Sequence, residues 1–434
     1  MKKTAIAFLV FYLTACSEQT STDHLAEAKA HLLAEKPQVA IISLKNAISE
    51  SPELAEARFL LGQIYFDLKQ FENAEKEFER AFTFNYSKKD LLPLLAKVYY
   101  LNESDNALVA LSVEPDKTSK DKNTPQQILT PEELVEIKYY QLRASLRLAK
   151  EAQAKALIDE IKKLNTTSEF TSLTLANAAI LEKNYYHAKV VLKTLLAEQP
   201  IQADGLKLLA NIQLNEQDLT GAADTYQRYI EAYPDDVNVT FIFARLLTDL
   251  GRTEEAEPLV DNLLSINAEH GLLNQLKGLA RYYQDDFNLA LTHLEKSLLN
   301  APKDVGTRLV AGVSAYWLED YDRAHHHLSL IADQLPPSHP SLRLLAVSQL
   351  ELGLTLDANN TVENFDNITS QDTVLLTRLG LSLSQAGEKL KAKALLDKTQ
   401  SVNGDKANVL PELGLLKLSL NDISGLDDIE QSLV

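Results

Sequence analysis

At 434 residues the chain is too long for one ordinary core, and its 45% hydrophobic content with only 14 Gly and 14 Pro excludes a collagen or a low-complexity linker. Lys plus Arg total 43 against 61 Asp plus Glu, a net charge of −18, so neither nucleic acid nor an anionic membrane surface is favoured as an electrostatic partner. The single cysteine, Cys16, rules out an intramolecular disulfide, and the fold must stand on packing.

The N-terminus reads as a targeting segment. Lys2 and Lys3 are followed by an apolar stretch from Ala5 to Leu13. A membrane-spanning helix needs about 20 apolar residues, so this shorter run fits a secretory signal peptide. The residues Leu13-Thr14-Ala15-Cys16 resemble a bacterial lipobox. That resemblance implies cleavage after Ala15 and lipidation of the Cys16 thiol, with residues 1–15 as signal peptide and 16–23 as lipidated cysteine and polar linker. Ser17 in the next position points to the outer rather than the inner membrane.

Beyond residue 23 a period governs the chain. Ala154, Ala188, Ala222, Ala256, Ala290, Ala324, Ala358 and Ala392 are spaced by 34 residues without a slip. A second small site runs ahead of them as Ala176, Ala210, Ala244, Gly278, Gly312, Ala346, Gly380 and Gly414, and Ala28, Gly62 and Ala96 continue it toward the N-terminus. In one unit, Phe59, Leu60 and Ile64 recur at helical spacing before a turn at Lys69-Gln70. Phe71, Ala74, Phe78 and Ala81 then stripe a second helix. Gly62 and Ala74 let the two helices approach, and Tyr65 and Phe78 fill the space beside them.

Leu61, Gly62 and Tyr65, with this period, resemble the tetratricopeptide (TPR) pattern. The resemblance implies an all-α fold, a right-handed superhelical solenoid of about twelve helix-turn-helix repeats. Units 1–3 are expected over residues 24–111 and units 4–12 over 131–434. The intervening residues 112–130, rich in Lys, Asp, Ser, Thr and Pro, read as a loop insertion. It ends at a helix start, with Thr130 as N-cap and Pro131 at the first helical position. The last unit is irregular: Leu426 stands where the others place Ala.

Phosphate-cradling, dinucleotide, zincin and nucleophile-elbow motifs are absent from the sequence. His325-His326-His327 cannot converge on one ion, because helix neighbours point about 100° apart. His293 lies one repeat before His327, but the pair lacks a positioned carboxylate, and these histidines read as solvated surface. The expectation is no enzyme, no cofactor, no metal and no small-molecule substrate.

In TPR proteins the first helix of each unit lines the concave groove. Carried onto this frame, the groove candidates are Asn177, Lys207, Asn211, Asn215, Phe241, Arg245, Gln275, Tyr282, Tyr283, Tyr316, Trp317, Arg343 and Gln385. Tyr282-Tyr283 and Tyr316-Trp317 occupy equivalent positions in adjacent units and are expected to stack as a four-aromatic patch, Trp317 being the only tryptophan. Lys207 and Asn211 match the first pair of the carboxylate clamp of chaperone-binding TPR domains. Ile242, Leu272 and Leu276 replace the rest, so such a clamp is not expected.

The stretch "HLAEAKAHLLAEKPQVAIISLKNAISESPELAEARFLLGQIYFDLKQFENAEKEFERAF" resembles the TPR-repeat lipoproteins of PEP-CTERM/exosortase systems. That implies a periplasmic scaffold held in a Gram-negative envelope by its N-terminal lipid. It would bind a protein or peptide in its groove and serve export, PEP-CTERM protein sorting or exopolysaccharide assembly. The alternative is a pilotin-like assembly factor for an outer-membrane secretin or barrel.

Overall fold

The computed structural model describes residues 20–113, 129–402 and 409–433. Cys16, the expected signal peptide 1–15 and most of the expected 112–130 insertion lie outside the described residues. Among the described residues there are 24 α-helices in consecutive pairs, two single-turn 3-10 helices and no strand. The all-α repeat architecture expected from the period is present, and twelve pairs match the expected number. No described helix is long and apolar enough to cross a membrane.

The chain divides into two compact units, Met1–Ile212 and Gln213–Val434. The first holds α1 (Ser21–Leu33), α2 (Pro37–Glu50), α3 (Ala55–Asp67), α4 (Phe71–Thr83), α5 (Lys88–Leu101) and α6 (Asp105–Ala110). It continues with α7 (Pro131–Arg147), α8 (Glu151–Leu164), α9 (Glu169–Leu181), α10 (Tyr185–Glu198) and most of α11 (Ala203–Asn215). The second holds α12 (Leu219–Ala232), α13 (Val237–Asp249), α14 (Thr253–Ile266), α15 (Gly271–Tyr283), α16 (Phe287–Asn300) and α17 (Val305–Trp317). It ends with α18 (Tyr321–Ser329), α19 (Ser341–Glu351), α20 (Thr355–Glu363), α21 (Thr373–Gln385), α22 (Lys389–Ser401), α23 (Leu410–Ser419) and α24 (Gly425–Gln431).

The small residues do what their size allows. All eight alanines from Ala154 to Ala392 are fully buried. An added Cβ on Gly62 would sit 2.6 Å from the Phe78 ring, and on Gly312 2.6 Å from the Leu328 side chain. Close helix approach and a large partner sixteen residues on are therefore one design. Phe78 and Leu328 are buried against these sites, as native packing density requires.

Every first helix ends the same way. A residue at positive φ follows it at Glu35, Lys69, Glu103, Ala149, Lys183, Gln217, Gly251, Asp285, Glu319, Gly353, Gly387 and Asn421. The next N–H donates back to a carbonyl five residues earlier, as in Gln70 to Tyr65 at 2.8 Å and Asp286 to Arg281 at 3.0 Å. This closes orphan carbonyls and starts the second helix at a set angle. Asp218, Asp286 and Asp320 then cap second helices by accepting from the N–H groups of Gly221, Leu289 and Arg323. Part of the acidic excess is thus spent on helix starts.

Three boundaries differ from expectation or sharpen it. The first helix starts at Ser21, not His24, because Thr20 and Asp23 form a reciprocal capping box within the expected linker. Thr130 caps α7 by accepting from Glu133 N–H, with Pro131 at the start, as the sequence indicated. In the last pair the buried close-contact position is taken by Gly425, one residue before Leu426, which is exposed. A Cβ on Gly414 would meet the Gly425 carbonyl at 2.5 Å, so only a one-residue shift lets glycine face glycine there.

Candidate partner-binding surface

The second unit carries a continuous run of aromatic rings. Tyr282 and Tyr283 close α15, Phe287 opens α16, Tyr316 and Trp317 close α17, and Tyr321 opens α18. Tyr283 contacts Tyr282 at 5.8 Å, and Tyr282 contacts Phe287 at 5.9 Å between ring centroids. Phe287 stacks on Trp317 at 6.2 Å with planes 21° apart. Trp317 meets Tyr316 edge-on at 5.8 Å, and Tyr316 meets Tyr321 at 6.0 Å. Each such pair contributes roughly 0.5–1.5 kcal/mol beyond its area burial.

The expected four-aromatic patch is therefore corrected. The two tyrosine-containing pairs are joined through Phe287, and Tyr321 extends the run. A signal for both existed, since residues 287 and 321 are one period apart and both aromatic. Tyr282 and Tyr316 pack partly into the core beneath α16 and α17. Burial raises the pKa of the Tyr316 phenol. Tyr283 and Trp317 point outward, 64% and 58% exposed. With Asp285 they line a cleft of about 410 Å³.

Other sequence candidates take varied places. Asn177 is a packing residue at 3% exposure, its amide donating to the Leu173 carbonyl at 2.8 Å. Gln275 donates to the Thr307 hydroxyl at 2.7 Å. Arg343 pairs with Asp372 at 2.6 Å, donates to the Asn367 carbonyl and lies over the Phe365 ring. Phe241 is half-buried against His270 at 5.9 Å. Arg245 is exposed and 3.9 Å from Asp249. Asn211, Asn215 and Gln385 are exposed, and Lys207 is half-buried. Of the clamp positions, Ile242 and Leu272 are exposed and Leu276 is buried.

The histidine expectation also changes. His327 is buried at 4% exposure, with Nε2 3.4 Å from Glu295 and Nδ1 3.4 Å from Arg308. His293 contacts the Asn274 amide oxygen at 2.9 Å. Burial lowers both imidazole pKa values. Among the described residues no group of three or more His, Cys, Asp or Glu side chains is placed to hold a metal ion.

The first unit contains a polar cluster that sequence reasoning missed. Tyr100 of α5 donates to Asp204 of α11 at 2.8 Å, and Tyr139 of α7 donates to the same carboxylate at 2.9 Å. Tyr100 stacks on Tyr140 at 4.8 Å, and the Arg147 guanidinium covers Tyr100 at 5.0 Å while pairing with Asp105. Burial pushes the Tyr100 and Tyr139 phenols up, and Asp204 pushes them further. Gln141 of α7 donates to the Leu108 and Leu111 carbonyls, closing the end of the short α6.

The family model described as Tetratricopeptide repeat matches residues 25–88 and 183–237. Among solved structures, the chain is similar to a tetratricopeptide repeat protein from Parabacteroides merdae ATCC 43184, with 21% identity, 57% of this chain and 97% of that one covered, and a TM-score of 0.35. It is similar to YrrB, described as a TPR protein with an unusual peptide-binding site, at 15% identity, 41% and 92% coverage and a TM-score of 0.37. It is also similar to the APC/C hetero-tetramer Cut9-Hcn1, at 15% identity, 96% and 87% coverage and a TM-score of 0.31. No curated protein matches the chain. The two matched stretches, residues 25–88 and 183–237, are similar to tetratricopeptide repeats, and the helix pairs from α7 onward recur on a 34-residue spacing.

Proposed function

We propose that the chain is a lipid-anchored scaffold on the periplasmic side of a Gram-negative outer membrane, held through Cys16, that recruits a protein or peptide partner without chemistry of its own. Its pathway in this reading is envelope export, PEP-CTERM protein sorting or exopolysaccharide assembly. The anchor rests on the apolar N-terminal stretch and Leu13-Thr14-Ala15-Cys16. Binding rests on one observation: Tyr283 and Trp317 stand open to solvent at the C-terminal ends of α15 and α17, with four further rings in contact. Exposed Trp and Tyr on a rigid base are the residues that dominate binding hot spots.

Crosslinking in intact envelopes should recover one dominant partner, lost when Tyr283→Ala and Trp317→Ala are combined. A partner set unchanged in that double variant overturns the binding reading. Labelled palmitate should enter the wild-type protein and not Cys16→Ser; equal labelling overturns the anchor. An outer-membrane oligomer mislocalised on deletion, with polysaccharide intact, moves the assignment to the assembly-factor reading.

A further inference from the structure

We infer that the cleft between Tyr282, Tyr283, Asp285, Phe287 and Trp317 receives the cationic side chain of an arginine or lysine on the partner polypeptide, a claim that rests on the binding reading above. The lining is four rings and one carboxylate, with no basic side chain. Ring faces carry negative quadrupole density and attract cations, most strongly for tryptophan. The carboxylate supplies the full charge that a guanidinium or ammonium group prefers.

The cations of α15, which ends at the cleft, are held by other partners. Arg281 is paired with Glu257 and donates to Gln284, and Lys277 is divided between Glu257 and Asp261. Asp285 sits at the positive-φ position of the turn after α15, is exposed, and makes no ion pair among the described residues. The cleft thus combines a carboxylate without an ion-pair partner among the described residues with the exposed rings of Tyr283 and Trp317. A neutral apolar side chain would gain the rings and leave the carboxylate unused. An acidic one would face like charge. The net charge of −18 adds a long-range preference for basic segments.

Trp317 is the only tryptophan, so its emission reports directly on the cleft. The protein is titrated at low salt with a capped Gly-Gly-Arg-Gly-Gly peptide and with versions carrying citrulline or Glu at the centre. Citrulline keeps the shape of arginine and removes its charge. The Arg peptide should give a saturable change with a dissociation constant about tenfold below that of the citrulline peptide. Asp285→Asn should remove most of that gap, and Phe287→Leu should weaken Arg binding while leaving the helical circular dichroism intact. Equal constants for Arg and citrulline, equal binding of the Glu peptide, or no saturable response to Arg overturns the inference. Loss of the crosslinked partner in the double variant without Arg preference overturns this inference alone. Arg preference with an unchanged partner set overturns the binding reading instead.

Discussion

The Arg343 guanidinium meets the Asp372 carboxylate through two nitrogens, Nε at 2.6 Å and an η-nitrogen at 3.1 Å. Asp372 is nearly inaccessible, and Arg343 lies across the Phe365 ring at 4.8 Å. A residue whose frame position suggested a partner surface is instead a brace between α19 and the start of α21. Arg343→Ala should therefore lower stability by about 3 kcal/mol, because it strands a buried carboxylate. Urea unfolding followed by circular dichroism checks this. Burial resists the Asp372 charge, but Arg343 and the Thr369 N–H outweigh it and hold its pKa below the ordinary carboxylate value. The folded pKa is the lower one, so the stabilisation is full above the unfolded value and is lost as pH falls through the folded value. A variant with wild-type stability at pH 7 would contradict the brace.

Gly312→Ala places a methyl 2.6 Å from Leu328 and 3.3 Å from the His327 Cβ. It should cost about 1–3 kcal/mol through overpacking. Gly306→Ala, whose Cβ would meet only Asp304 at 3.6 Å, should be neutral or stabilise by up to about 1 kcal/mol. The pair separates steric closeness from helix propensity in a single thermal-melt comparison.

Asp204→Ala removes the acceptor shared by Tyr100 and Tyr139. The buried Tyr139 phenol and the half-buried Tyr100 phenol then lose this acceptor, and Arg143 loses a nearby opposite charge. The expected cost is about 2–4 kcal/mol. Hydrogen exchange should accelerate in α5 and α7 and leave α15 to α17 unchanged. Acceleration confined to α11 would show that the cluster does not link the pairs.

His327 and His293 have pKa values lowered by burial, opposed at His327 by Glu295 and reinforced by Arg308 and His326. At His293, Lys277, Lys296 and Arg281 reinforce the shift and Asp261 opposes it. The folded state therefore resists protonation that the unfolded chain accepts near pH 6.5. Stability should be full above that pH and fall as pH drops below it toward the folded values. His327→Gln should flatten the decline in melting temperature between pH 7.5 and 5.5. An unchanged slope would remove His327 as its source.

The repeat frame was legible because its carriers are the residues whose size is their function. Ala154 is fully buried and Gly62 lies against the Phe78 ring, so large side chains are excluded at such sites and the spacing survives in plain sight. Phe287 is less legible because it opens a second helix, whereas the groove frame is carried by first helices. The Tyr100–Asp204 contact could not be read at all. Its residues are 104 apart and belong to different helix pairs, so no local pattern announces them. Arg343 failed for a related reason: a frame position fixes where a Cα lies, and a long side chain then goes where a carboxylate draws it.

Gly425 shows how the array absorbs errors in its own copying. The final pair has lost one residue between its close-contact positions, and the excess of twelve residues between Ala74 and Ala154 is larger still, yet the pairs beyond that insertion resume the same frame. Each pair carries its own stop, its own restart and its own point of closest approach. A slip in one turn is corrected within the pair that suffers it. Such a chain can therefore be lengthened, shortened or decorated unit by unit, and a run of side chains spanning two pairs, like the rings from Tyr283 to Tyr321, moves as a block.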